Sequence, residues 1–314
     1  MTDLSIIIPV YNVESFLPKC IESLINQNTT FNYELIFVND GSKDSSYDIL
    51  LSTVSNIDNV RLFSKENGGL SSARNYGVEK SSSAYVTFVD SDDWVSDDYV
   101  ERICTALENN KECDFFYFDR VFVTRDSTVE VNYRDISSST FIMSSLIKWV
   151  NLSACNKVYN KEVLLRIKFP EGRIYEDFPT ILKYVSSVSS IKKIDGYLYY
   201  VRQTNVNSIT SSLNKNELDM LSNFADYEAS VYFSKSKLDA EFVTEYNRFK
   251  AKTLLYWVVK LITHKGYAIL EKVDLSVIRF SDLTSIKNIF IAVLIKLRLW
   301  QVVHIMKKLT KKTK

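Results

Sequence analysis

The residues best able to do chemistry in this 314-residue chain are carboxylates in two tight groups, Asp90-Ser91-Asp92-Asp93 and Glu176-Asp177. The first group ends an uncharged run, Tyr85-Val86-Thr87-Phe88-Val89, whose residue types favour a buried strand. Buried strands do not end in unpaired acids without a partner for the charge. A hard divalent cation, Mg²⁺ or Mn²⁺, is the sensible partner, because one or two carboxylates plus a substrate's phosphates commonly hold such ions. An acidic turn capping the next helix is the plainer alternative. The second group, Glu176-Asp177, offers a general base for a hydroxyl proton, and equally a helix start with acids in its first turn.

Elements that could position these acids are legible in order. Leu4 to Val10, Glu34 to Val38, Val60 to Phe63 and Tyr85 to Val89 read as strands, and helical spacing fills the intervals from about Ser15 to Asn26, after Asp44 or Ser45, and from about Ser71 to Val78. Strands alternating with helices predict an α/β fold on a parallel sheet, with ligands outside the carboxyl ends of the strands. Tyr11-Asn12, Asn39-Asp40, Asn67-Gly68-Gly69 and Asp90-Ser91-Asp92 all fall at such ends, so four loops converge on one crevice. Neither G-x-G-x-x-G nor G-x-x-x-x-G-K-[ST] is present, which disfavours NAD and ATP.

Together, Ile7-Ile8-Pro9-Val10-Tyr11-Asn12, Val38-Asn39-Asp40-Gly41-Ser42-Lys43-Asp44-Ser45, Asn67-Gly68-Gly69-Leu70-Ser71-Ser72-Ala73-Arg74-Asn75 and Phe88-Val89-Asp90-Ser91-Asp92-Asp93 resemble the family-2 glycosyltransferases of the GT-A fold. The resemblance is dense over the first 100 or so residues and returns at Glu176-Asp177. It implies a Rossmann-like mixed sheet flanked by helices, and inverting transfer of a sugar from a UDP-sugar to an acceptor hydroxyl. Carried over by motif, Pro9, Tyr11, Asn12 and Glu14 border the nucleotide, Asp40 reads uracil, and Asn67, Gly68 and Arg74 lie beside base and diphosphate. A carboxylate suits uracil, whose imide N–H donates, better than cytosine. The plainer readings are an Asx turn at Asp40-Gly41 and a surface Arg74 paired with Glu79 or Asp44. Asp90 and Ser91 are expected at ribose and Asp92 at Mn²⁺ or Mg²⁺, with Asp93 a further candidate; Asp177 is expected as base, with Glu176 orienting neighbouring groups or binding the acceptor. Neither His264 nor His304 is expected to bind the metal.

Residues 1–211 are expected to form the catalytic domain, split near 95 into donor and acceptor halves, and 212–314 a helical accessory region. Cys113 to Phe118 and Val121 to Val131 predict an antiparallel extension of the sheet. Trp94 suits stacking on a sugar ring or packing under its loop, and Asn156, Lys157 and Arg173 are expected near the acceptor, which would be a glycan, a lipid-linked sugar or a glycoprotein. Arg202, Gln203 and Ser208 resemble a loop that closes on the diphosphate.

Net charge is +1, giving no bulk case for nucleic acid, and the four cysteines show no C-x-x-C spacing and read as reduced and mostly buried. The apolar run from Leu4 is too short for a signal peptide, so a cytoplasmic protein is expected. The acid-free tail 286–314 carries eight basic residues and Trp300, which suits either an anionic membrane surface on the cytoplasmic side or a packing helix with a solvated end. Assembly as a homo-oligomer stays open. The competing functions are a nucleotidyltransferase and a non-catalytic nucleotide-sugar-binding subunit.

Overall fold

The apolar runs become strands: β1 (Leu4–Val10), β2 (Tyr33–Asn39), β3 (Val60–Ser64) and β4 (Tyr85–Phe88), separated by α1 (Leu17–Ile25), α2 (Ser46–Val54) and α3 (Leu70–Lys80). The structure is a computed structural model that describes residues 2–137, 150–205, 240–263, 280–283, 285–296 and 303. Every residue of β1 is buried, which is why its sequence is a continuous apolar run rather than an alternating one. It lies parallel to both β2 and β4. The chain winds outward through β2 and β3, then returns to the other side of β1, creating the switch point at which open α/β sheets bind ligands.

Beyond β4 the sheet continues through β5 (Trp94–Val95), α4 (Tyr99–Asn109), β6 (Phe115–Val123), β7 (Thr128–Val131), β8 (Lys157–Asn160), α5 (Lys161–Ile167), α6 (Asp177–Val185) and β9 (Ile191–Arg202). The order is β3-β2-β1-β4-β8-β6-β9-β5, with β7 paired to β6. The expected antiparallel extension is only partly realised. β8 is antiparallel to β4 and β6, but β9 runs parallel to β6. β9 therefore runs opposite to β8, the strand before it, and the two helices between them carry the chain to the far side of β6. The run Val121 to Val131 is also two strands, cut where Thr124 N–H donates to the Ser127 carbonyl at 2.9 Å.

Helix α3 lies close on β1, and Gly77 is the reason it can: a Cβ there would come within 2.4 Å of Ile7 Cγ2. All four cysteines are buried and unpaired. The chain divides into two compact units, the second holding the described residues from 240 onward. That unit contains α7 (Ala240–Thr263) and α8 (Ile286–Lys296), and it buries Leu254, Val258 and Ile262 of the first and Ile291, Ala292, Leu294 and Ile295 of the second. The apolar positions of α8 are thus mostly covered, although Phe290 is exposed; beyond Lys296 only Val303 is described, and it is buried. Among the described residues no helix is long and apolar enough to cross a membrane.

Gly77→Ala tests the α3–β1 contact. Alanine normally favours a helix over glycine by up to about 1 kcal/mol, but here the added methyl meets a stiff β-branched side chain. A net loss of about 1–3 kcal/mol in denaturant unfolding is expected; an unchanged or raised midpoint would show that the helix has room.

Candidate active site

The loops after β1 and β2 are clasped by reciprocal side-chain-to-backbone bonds. Asn12, in the left-handed region at φ 48°, receives the Lys43 N–H at 2.8 Å, and its own N–H donates to Ser42 Oγ at 3.2 Å. Glu14 accepts from Ser45 N–H at 2.8 Å, while Glu14 N–H donates to Asp44 Oδ2 at 3.0 Å. Asn12 and Glu14 therefore join the two loops at the surface. Pro9 is buried in β1, whereas the Tyr11 ring stands 45% exposed above the clasp.

Asp40 is only 2% exposed. Its carboxylate accepts from Lys65 Nζ (2.6 Å), Asn67 Nδ2 (3.1 Å), Gly68 N–H (3.0 Å) and Gly69 N–H (2.7 Å). Four donors fill about the four lone-pair sites a carboxylate offers. Asp40 thus holds the 65–69 loop, with Asn67 and Gly68 among its donors. The side-chain turn expected at Asp40-Gly41 is made one residue earlier, by Asn39 Oδ1 and Ser42 N–H at 3.1 Å.

At the end of β4 the acids separate into different jobs. Asp93 is buried and accepts from Tyr199 Oη at 2.9 Å and Arg202 N–H at 2.7 Å, which ties the β9 terminus to the motif. Burial, then Asp92 and Asp90, push its carboxyl well above the usual range. Asp92 is partly exposed, with Oδ2 accepting from Asn205 Nδ2 at 2.8 Å. Burial first and Asp90 second raise its pKa, an unfavourable state for an anion that a bound cation would relieve. Hard oxygen donors of this kind fit Mg²⁺ or Mn²⁺. Among the described residues no three His, Cys, Asp or Glu gather as a complete metal cage, so phosphate and water oxygens would have to complete the shell.

Ser91, between these acids in the chain, is buried. Arg202 donates from Nε to the Asp92 carbonyl at 2.8 Å, and its guanidinium lies 5.0 Å from the Phe16 ring centre and 4.8 Å from that of Trp94. Trp94 is engaged by its own neighbours: it stacks on Tyr200 at 5.5 Å, and Lys19 Nζ lies 4.1 Å from its centroid. It is part-exposed and packs against these neighbours.

One guanidinium gathers the two acidic groups. Arg74, expected beside the nucleotide or on a helix surface, is 1% exposed. Nη2 donates to Asp90 Oδ1 at 3.0 Å, and Nη1 donates to Glu176 Oε1 at 2.6 Å and to Asp177 Oδ1 at 2.7 Å. The neighbouring carboxylates hold Arg74 cationic against the cost of its burial. Burial pushes Glu176 up to about 8, Asp177 adding to the rise and Arg74 opposing it. The short Arg74–Glu176 contact persists with Glu176 neutral, the guanidinium donating to its carbonyl oxygen. Asp177 is the more open of the pair, its side chain 25% exposed against 6% for Glu176. Its second oxygen accepts the Ala154 N–H at 3.1 Å.

Residues 5–167 match the family described as Glycosyl transferase family 2. The chain belongs to that family. Over 189 residues it is 34% identical to glycosyltransferase GlyA of Streptococcus pneumoniae, covering 55% of this chain and 27% of that protein. Over 250 residues it is 34% identical to the minor teichoic acid biosynthesis protein GgaB of Bacillus subtilis, covering 76% and 26%. The chain thus spans about a quarter of the length of these two relatives. The crystal structure of S. aureus TarS residues 1–349 in complex with UDP-GlcNAc superposes with a TM-score of 0.67 at 17% identity, covering 99% of this chain and 92% of that one. The mixed sheet flanked by helices is the GT-A fold.

The other residues expected at the site of this family-2 glycosyltransferase differ in exposure. Asn156 and Lys157, expected at the acceptor, are 1% and 0% exposed and sit beneath the site. Arg173 is part-exposed and the Gln203 side chain exposed, while Ser208 lies outside the described residues. Sequence reading passed over Lys65, Ala154 and Tyr199, because a backbone N–H or a residue in an apolar strand carries no motif. Asn205 likewise carries no motif, yet its amide reaches Asp92.

The Glu176 environment sets a pH dependence. A carboxyl near 4.3 in the unfolded chain and about 8 when folded favours folding while protonated. That contribution is complete below about pH 4 and is lost as pH rises through 8. The wild type should therefore lose stability relative to Glu176→Gln between about pH 5 and 8, read as diverging denaturant midpoints; parallel midpoints would mean Glu176 is ionised throughout.

Proposed function

We propose that the protein is an inverting glycosyltransferase that moves a sugar from a UDP-sugar to an acceptor hydroxyl, with a divalent cation at Asp92 and Asp177 as general base. The observation that carries this is Arg74, which touches Asp90 of the donor motif and Glu176-Asp177 of the base motif through one guanidinium. A donor bound at Asp90–Asp92 and a hydroxyl reaching Asp177 would then meet across a single side chain. The half-exposed Tyr11 supports a base-stacking role. TarS was crystallised with UDP-GlcNAc and with UDP, which supports a uridine donor. The teichoic acid role in the name of GgaB supports a cell-surface polymer as product, and the basic, acid-free tail suits an anionic surface.

Asp177 would take the acceptor hydroxyl proton while the oxygen attacks the anomeric carbon from the face opposite the leaving UDP. As the glycosidic bond breaks, negative charge grows on the diphosphate. A divalent ion held by Asp92 would supply Lewis-acid stabilisation of that charge. The Arg202 guanidinium, clamped by Phe16 and Trp94 with Nε fixed on the Asp92 carbonyl, is preorganised to add to it. Glu176 keeps Arg74 engaged from the buried side.

A panel of UDP-glucose, UDP-galactose and their N-acetyl forms with Mn²⁺ identifies the donor by UDP release. With that donor, Asp177→Asn should lower kcat by about 10²–10⁴-fold with UDP affinity retained. Asp92→Ala should abolish the Mn²⁺ dependence of UDP binding. NMR of the product should show an inverted anomeric centre. Full turnover in both variants would remove the assignment, and pyrophosphate release from a nucleoside triphosphate would favour the nucleotidyltransferase reading.

A further inference from the structure

Lys157 opens β8 with no surface exposed, and its ammonium has no role in the reaction described above. Its three donors are all used, on Asn151 Oδ1 (2.9 Å), the Ser153 carbonyl (2.6 Å) and Asn156 Oδ1 (2.8 Å). No carboxylate among the described residues lies within ion-pair distance of it. Burial, then Arg120, lowers its pKa well below the ordinary lysine value. A side chain with this desolvation cost needs a compensating use.

The segment it holds, residues 151–156, has no helix or strand of its own, so its backbone groups must find partners elsewhere. Ala154 is bonded on both sides: its N–H donates to Asp177 Oδ2 at 3.1 Å, and its carbonyl accepts from Tyr159 Oη at 3.1 Å. Asn151 also accepts from Ser153 N–H at 3.1 Å, closing the loop around the ammonium. At the other end of Asp177, Arg74 is shared with Asp90 and Glu176. The Ala154 N–H therefore fixes the second oxygen of Asp177, while Arg74 holds the first together with the other acids. We propose that Lys157 is a positioning residue for Asp177, acting through the 151–154 loop that it anchors from below. The inference rests on Asp177 being the base.

The test uses the full chain and UDP release from the UDP-sugar selected by the donor panel. Lys157→Met should lower kcat by about 10- to 100-fold, the range expected when a supporting contact is lost and a reacting group shifts by a fraction of an ångström to an ångström. KM for the donor and calorimetric UDP affinity with Mn²⁺ should stay within about twofold. In an Asp177→Asn background the same substitution should have no further effect, because its target is already gone. Asn151→Ala removes one anchor and should act in the same direction but less; if Lys157→Met does not fold, this variant carries the same three readouts. Unchanged kcat, lost UDP affinity, or a full additional loss on top of Asp177→Asn would each overturn the proposal. Full activity of Asp177→Asn alone would instead overturn the base assignment, and the two failures are told apart by that single variant.

Discussion

A fully buried arginine among three carboxylates is the constraint on which the catalytic unit depends. Removing one partner of a buried charge set costs about 3–5 kcal/mol because it strands the others, so Arg74, Asp90, Glu176 and Asp177 hold each other in place. The planar fork matters, since it lets two nitrogens address acids from segments 102 and 103 residues away in the chain as well as one 16 residues away. A lysine ammonium could not span them with the same geometry. One arginine against three carboxylates would leave two excess negative charges, and the cluster keeps a proton on Glu176 near neutrality, the burial of that side chain deciding which acid carries it.

The same economy recurs around the crevice. Asp40 gathers the 65–69 loop and Asp93 ties β9 to the donor motif, each by filling its oxygens with protein donors. Acids whose oxygens are spent on the protein build the site. Asp90, Asp92 and Asp177 keep part of their surface open, where a ligand, a cation or a proton could meet them. Arg202 belongs to the first kind along its Nε edge and its stacked faces, which is what makes its remaining edge a rigid donor.

The N-terminal strands and their order of helices were legible because strands buried on both faces must be apolar throughout, and because polar residues interrupt them only at the carboxyl ends. The convergence of four loops followed from that alone. Arg74 was named as a site residue but its partners were not, since nothing in Ser72-Ala73-Arg74-Asn75 tells a helix position facing solvent from one facing the sheet. Asp40 looked like a free acceptor because the donors that saturate it come from a loop 25 to 29 residues on. Lys157 was assigned to the acceptor for a related reason: a lysine reads as exposed until its three acceptors are found beneath a loop. The parallel pairing of β9 with β6 depended on β8 reversing the chain and α5 and α6 carrying it to the far side of β6, which no local pattern reports.

The most direct measurement is a crystal structure with UDP and Mn²⁺, the metal located by its anomalous signal. The account predicts the peak beside the Asp92 carboxylate and the diphosphate, with Arg74 still holding Asp90 and Asp177 together. A metal or nucleotide bound away from Asp92, or an Arg74 turned out of the acidic cluster, would contradict it.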